Sequence, residues 1–244
     1  MAMRHCITLL MLTGCLMISV QAAEHAGRVQ LLEGSASIMR SGAEQWRNIR
    51  PNMPVRIGDQ IYTREESFVE IRLKNGAMMR MDEKTKVVIE HSTEDETKTT
   101  SSLGNVWVNM RKLVNSGKEF ELSSPTATAA IRGTVFHMET ARDSSTDVSV
   151  YSGKVAVGPT RGRGSDSRGQ QSHGEERVEV PGPEEIPGPY EVSLEEWRMI
   201  IAGQRISIRR DGKYAQAAFD AKSAQNRFVK RNRELDRQLE SEQD

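Results

Sequence analysis

The chain has 244 residues, room for one full domain and a smaller appendage. Its 34 basic and 34 acidic residues cancel, so it has no global attraction to nucleic acid or to an anionic membrane. Hydrophobic residues are 36% of the chain and aromatics 5%, so small aliphatics and Met must fill most of a modest core.

The first element reads as a targeting segment, residues 1–22. Arg4 supplies a short positive region, and Ile7 to Val20 is an uncharged apolar run. Val20-Gln21-Ala22 then offers small residues of the kind signal peptidase accepts, so cleavage is expected after Ala22. The run has 14 residues, too few to span a bilayer comfortably, and no later segment is apolar enough, so no retained membrane span is expected. A second reading takes Leu12-Thr13-Gly14-Cys15 as a lipobox with lipidation at Cys15. The short apolar stretch before Cys15 and the apolar Leu16-Met17-Ile18 after it disfavour that reading. Cys6 and Cys15 are the two cysteines, so a chain cleaved after Ala22 has no disulfide, thiol nucleophile or thiolate metal site.

Residues 27–157 carry short runs of alternating apolar and polar residues broken by Gly, Asn and Asp, the pattern of an all-β domain. One hairpin can be read in detail. Lys74-Asn75-Gly76 separates Phe68–Leu73 from Ala77–Met81. A two-residue loop would set Ile71 opposite Arg80 and mix the faces. A three-residue loop pairs Leu73 with Ala77, Ile71 with Met79 and Val69 with Met81, and leaves Glu70 beside Arg80. Face consistency selects the three-residue loop, with Gly76 left-handed. A second hairpin is expected to pair Val148 and Val150 directly with Val155 and Val157 across a Ser152-Gly153 loop.

Residues 158–189 hold seven of the 19 glycines and five of the eight prolines and read as a flexible linker. Residues 190–244 return to helical spacing. Ser193 with Glu196 forms a capping box ahead of Trp197, and Gly203 is a natural stop. A short strand, Arg205 to Ile208, and an Asp211-Gly212 turn follow. A second helix is expected from Asp220 to about Leu239, with Ala221, Ala224, Phe228, Leu235 and Leu239 as a narrow apolar stripe. Such stripes usually dock on a core, and a partner-binding helix is the alternative.

The stretch from Pro125 to Phe136 is the most distinctive: small residues ending in Arg132-Gly133-Thr134-Val135-Phe136. It resembles the hallmark of FecR domains. Gly58-Asp59 before Ile61-Tyr62-Thr63, Val69 to Gly76, Gly104-Asn105-Val106-Trp107 and Val148 to Val155 resemble four further family elements, in the family's order. The resemblance covers about residues 28–158. The best-known relatives regulate sigma factors through a cytoplasmic segment and one membrane span. Neither is expected here, so that role is not carried over, and the chain looks like the stand-alone secreted FecR-domain proteins.

Within the motif, Ala127, Ala129 and Ile131 are expected to face inward. Gly133 should occupy a bulge or corner closed to residues with a Cβ. Arg132 is expected to hold a carboxylate, with Asp59 the candidate, and a surface anion contact is the alternative. Gly58, Asp59, Trp107, Pro125, Arg132, Gly133, Thr134 and Phe136 are thus read as structural more than binding residues.

Chemistry is hard to find in this sequence. His25, His91, His137 and His173 form no close pair, and His137 reads as a half-exposed strand residue. No nucleophile elbow or phosphate loop occurs, so no catalytic, metal or cofactor site is expected. The acidic run Glu90 to Glu96 lacks the Gly and the spacing of a calcium loop and reads as a solvated loop. Tyr62, Trp46 and Trp107 would be the residues of a sugar-binding face, although burial in strands is the simpler account.

The expected fold is mainly β, a two-layer sandwich or a short β-solenoid, then the linker and a small, mostly helical C-terminal element. The expected function is a non-catalytic binding or scaffolding module of the cell envelope, periplasmic or secreted. It would act on an unknown envelope protein in signal sensing, by edge pairing with a partner strand. A glycan- or peptidoglycan-binding envelope protein is the alternative.

Overall fold

The computed structural model describes residues 25–110, 117–160, 192–193, 197–221 and 226–241. The expected signal segment with Cys15 and all but the first residues of the glycine- and proline-rich stretch lie outside the described residues. The elements are β1 His25–Glu33, β2 Ala36–Met39, β3 Arg47–Asn48, β4 Pro54–Arg56, β5 Gln60–Thr63, β6 Phe68–Leu73, β7 Met78–Met81, β8 Lys86–Ser92 and β9 Glu96–Asn109. They continue with β10 Glu119–Ser123, β11 Ala127–Ile131, β12 Val135–Thr140, β13 Thr146–Ser152, β14 Lys154–Pro159, β15 Val192–Ser193, β16 Arg198–Ile201, β17 Gln204–Ile208, β18 Lys213–Ala218 and the helix α1 Arg227–Ser241.

The strands form two sheets. Sheet I runs β4-β1-β6-β7-β9-β12-β13-β17-β18-β15. Sheet II runs β3-β2-β5-β8-β9-β10-β11-β14-β16. Every described pairing is antiparallel except β9–β10. A β-solenoid stacks parallel coils, so this pairing answers the question left by sequence in favour of a two-layer sandwich.

Strand β9 belongs to both sheets. Its first half pairs with β8 and β10, and its second with β7 and β12. The bend is at Gly104, where φ is +91° and an added Cβ would lie 2.6 Å from the Thr85 Cα. Only glycine fits both the dihedral and the approach. The Asn105 N–H then donates to Thr85 Oγ1 at 2.9 Å, which keeps the bend hydrogen-bonded.

The core lies between the sheets. Val29, Ile71, Met79, Met81, Val108, Phe136, Met138 and Val150 of sheet I meet Ile38, Ile61, Val87, Ile89, Phe120, Leu122, Ala129 and Val157 of sheet II, all buried. Methionines and small aliphatics fill it, as the aromatic-poor composition requires.

The first hairpin has the expected register: Val69 faces Met81, Glu70 faces Arg80 and Ile71 faces Met79, with Gly76 at φ +91°. The second is not a hairpin. Strand β13 pairs with β12 and β17, whereas β14 pairs with β11 and β16 in the other sheet. Ser152-Gly153 is a corner between layers. Alternation marked the inward side of Val148, Val150, Val155 and Val157 correctly, but they meet across the core instead of along one sheet.

The C-terminal region also departs from expectation. No helix runs to Gly203: residues 198–201 form β16, and Gly203, at φ +82°, turns the chain into β17. Ser193 itself lies in strand β15. The capping-box pattern lost to edge pairing with β14, and a short apolar run alone does not separate strand from helix. The region is therefore four strands that extend both sheets and one helix. The start of the expected linker, Gly158-Pro159, is the end of β14. The acidic run is mostly strand as well, with only 93–95 turning between β8 and β9.

Candidate interaction surfaces

Of the motif residues, Asp59, Trp107, Gly133, Thr134 and Phe136 are buried, whereas Pro125 and Arg132 are exposed. Gly58 has φ +83°, and Asp59 beside it is 1% exposed. The Asp59 carboxylate accepts the Arg56 N–H at 2.7 Å and a guanidinium bond at 2.5 Å from Arg40. Burial raises its proton affinity, and the Arg56 N–H and the Arg40 charge oppose that. The guanidinium is not that of Arg132, as sequence suggested. Arg132 is exposed, and no carboxylate pairs with it among the described residues. Its local motif explains this: Arg132-Gly133 is the corner where the chain leaves β11 in sheet II for β12 in sheet I, and Gly133 has φ +65° as expected. Thr134 fastens the corner by donating to the Lys154 carbonyl at 2.8 Å. Ala127, Ala129, Ile131 and Phe136 point into the core. Pro125 sits exposed at the turn before β11.

The outer face of sheet I is covered over β6, β7, β9 and β12. Helix α1 lies on it through Phe228 and Val229, which pack with Phe68, Trp107 and Val135. Trp107 is therefore wholly buried, and it cannot serve a sugar-binding face. Under the helix lies Arg80, 0% exposed. Its Nε donates to Glu70 at 2.5 Å, and its Nη1 donates to Asp236 of α1 at 2.5 Å and to the Asn232 carbonyl at 3.3 Å. The second Asp236 oxygen accepts the Trp107 indole N–H at 3.1 Å. One carboxylate thus fastens the helix to two neighbouring strands. Arg80 Nη2 and the Asn232 side-chain oxygen have no partner among the described residues, so the junction is incompletely satisfied. Arg231 caps the edge, stacked 3.7 Å over Phe68 and paired with Glu33.

His137 is buried under the same helix, not half-exposed. Its ring stands 5.5 Å from Phe228 and its Nε2 is 2.9 Å from the Asn105 side-chain oxygen. Burial lowers its pKa from 6.5 to about 4, so it is neutral at physiological pH. The helix docks as expected but begins at Arg227 instead of Asp220, with Ala221 outside it, and an apolar search misses half of its buried side. Asn232 and Asp236 continue the Phe228 face at spacings of four, and they carry the polar bonds.

Sheet II keeps its outer face open. A groove of about 540 Å³ crosses β8, β9, β10, β11 and β14. Glu90, Thr100, Glu121, Ser123 and Thr128 line it, and Trp197 forms one wall. The sheet ends at β16, which pairs with β14 and has no second neighbour among the described residues. On this strand Ile200 is buried, while Met199 and Ile201 are 57% and 45% exposed on the outer face, and Trp197, just before the strand, is 47% exposed. Trp46 is the one other large apolar residue so exposed among the described residues, beside Tyr62 at a centroid distance of 6.4 Å.

A family model described as FecR protein matches residues 59–156. Residues 59–156 are thus similar to a FecR domain. In the structure the sandwich is larger than that match, since β1 to β4 and β16 to β18 complete its two sheets. A comparison with curated proteins gave no match. Among solved structures, two crystal structures of a candidate anti-sigma factor from Parabacteroides distasonis are similar, at 1.65 and 2.50 Å resolution. Each is 15% identical over 66% of this chain, with TM-scores of 0.47 and 0.46. This chain spans 60% of the length of those chains. Among the described residues no helix is long and apolar enough to cross a membrane.

Proposed function

We propose that this FecR-domain protein is a non-catalytic interaction module of the cell envelope, periplasmic or secreted, that takes part in signal sensing by binding another envelope protein. The observation that carries this reading is β16. An edge strand presents unpaired backbone N–H and C=O groups, and soluble proteins normally protect such edges with charge, proline or a covering element. Here Met199 and Ile201 of the edge strand, with Trp197 just before it, expose apolar side chains. The Ile201 N–H on this side donates to Gln204 Oε1 at 3.2 Å, and no second strand pairs with the edge among the described residues, so it suits a short extended partner segment, with backbone bonds supplying affinity and the apolar side chains selecting it. Covering the exposed halves of three such side chains is worth about 2–4 kcal/mol, or about 30- to 1,000-fold in affinity.

The test is comparative capture from intact cells after crosslinking, using wild type and a Met199→Lys/Ile201→Lys double variant. The reading expects one dominant protein partner with wild type and its loss with the variant, while the two proteins melt alike. Equal capture by both would remove β16 from the account.

A further inference from the structure

We infer that the outer face of sheet I, beyond the reach of helix α1, binds a phosphate group between the guanidinium groups of Arg28 on β1 and Arg72 on β6. The site shares no residue with β16 and does not depend on the partner strand proposed there. Arg28 and Arg72 are direct partners across the antiparallel β1–β6 pair, and both are exposed. Paired positions stand about 4.5–5.5 Å apart at Cα, and like charges set opposite each other destabilise a sheet. No carboxylate relieves this pair: among the described residues none forms an ion pair with either arginine. Glu70, two residues before Arg72 on the same face, is held by Arg80 at 2.5 Å. An anion bridging the two arginines turns their repulsion into binding energy.

The two arginines line one open depression of about 330 Å³, with His25, Gln30 and Lys74 on its walls. No Asp or Glu lines it among the described residues. Glu119 and Asp95 lie past Asn75, whose amide donates to the Glu119 carbonyl at 3.1 Å, and the Glu119 N–H donates to the Asp95 carbonyl at 2.7 Å. Lys74 is engaged in a contact of its own, so the arginines are the ligands and Lys74 adds to the field. Arg28 is already aimed: its Nη1 donates to the Asn52 carbonyl at 2.6 Å, and its other N–H groups are left for a ligand. Arg72 makes no hydrogen bond or ion pair among the described residues, so its whole fork is open. The two forks set the class of ligand. A carboxylate has two oxygens and is satisfied by one fork, whereas a phosphate monoester has three terminal oxygens and nearly two charges, enough to bridge both. The depression is at the small end of ligand sites, roughly 300–1,000 Å³, which fits a phosphate with a small attached group.

The test uses the full chain in phosphate-free buffer. Calorimetry with glycerol 3-phosphate and with glutarate reads the site. Sedimentation with phosphatidylcholine vesicles, with and without phosphatidic acid, reads the source of the phosphate. Wild type should bind a phosphate monoester, soluble or in the vesicle, and bind glutarate about tenfold more weakly or not at all. Arg28→Gln and Arg72→Gln should each weaken phosphate binding about tenfold or more, the usual loss for charge-assisted bonds. Added inorganic phosphate should raise the melting temperature of wild type and leave that of Arg72→Gln unchanged. Without phosphate, Arg72→Gln should melt no lower than wild type, since it removes a like-charge pair and no bond, which separates lost binding from lost fold. Sedimentation that needs both phosphatidic acid and Arg72 assigns the phosphate to a lipid headgroup. Binding of glycerol 3-phosphate without such sedimentation assigns it to a soluble ligand, and either result supports the site. No binding of glycerol 3-phosphate at millimolar concentration or of phosphatidic acid vesicles, undiminished binding in Arg72→Gln, or equal affinity for glutarate would each overturn the inference.

Discussion

Asp236→Ala should release the C-terminal helix without unfolding the sandwich. The carboxylate makes two bonds to sheet I, one from Arg80 and one from the Trp107 indole. Removing one partner of a buried ion pair typically costs about 3–5 kcal/mol. Glu70 remains on Arg80, so the lower end applies, and the orphaned indole N–H adds about 1 kcal/mol. The attachment that opposes this loss is small. Among the described residues α1 buries only two apolar side chains fully, Phe228 and Val229, with Leu235 partly covered. At about 1.5–3 kcal/mol for each full burial, these supply roughly 4–7 kcal/mol before the entropy of ordering the helix is subtracted. A loss of 3 kcal/mol or more by the same reckoning leaves α1 largely undocked. Amide hydrogen exchange by mass spectrometry would report this as lost protection over residues 227–241 with β7 and β9 still protected. Trp107 fluorescence should shift to the red in a background where Trp46 and Trp197 are replaced by Phe. Unchanged protection of α1 together with an unshifted Trp107 would refute the claim that Asp236 fastens the helix.

Other outcomes follow from the same geometry. His137 is neutral in the fold, with a pKa near 4 against 6.5 unfolded, so the unfolded chain binds the extra proton between those values. Stability from this group is complete above about pH 6.5 and falls by about 3 kcal/mol as pH drops through 4, and His137→Gln should flatten that part of a urea-denaturation pH profile. Gly104→Ala puts a Cβ into Thr85 at φ +91° and should cost at least about 2 kcal/mol in thermal unfolding. Arg40→Met strips the buried Asp59 of its cation and should cost about 1–3 kcal/mol, whereas Arg132→Ala should change stability by no more than about 0.5 kcal/mol. A large melting-temperature loss in Arg132→Ala would restore the structural role that its exposure denies it.

What the sequence made legible was local. The period of two identified the inward valines, alanines and methionines, and face consistency chose the Lys74-Asn75-Gly76 loop over the more common two-residue one. Gly133 was readable as a corner because a motif glycine between two strands has few other uses. What failed needed long-range information. Val148 to Val157 alternates as a hairpin would, and nothing local says that the chain changes sheet at Gly153. Sequence paired Arg80 with Glu70 on the hairpin's second face but not with its cover, which arrives 156 residues later with Asp236. Trp197 followed a good capping box, and only pairing with β14 makes the residues after it a strand. Asp59 was read as the carboxylate of an ion pair, but its cation is Arg40 instead of the more conspicuous Arg132.

The claim that β16 is the contact surface is tested most directly by a photo-crosslinking amino acid at position 199 in living cells. The same group at Trp46, the other exposed apolar site, serves as control. The account predicts a single dominant protein adduct from position 199, mapped by mass spectrometry to an extended segment of the partner, and little from position 46. Equal adducts from both positions, or none from 199, would contradict it.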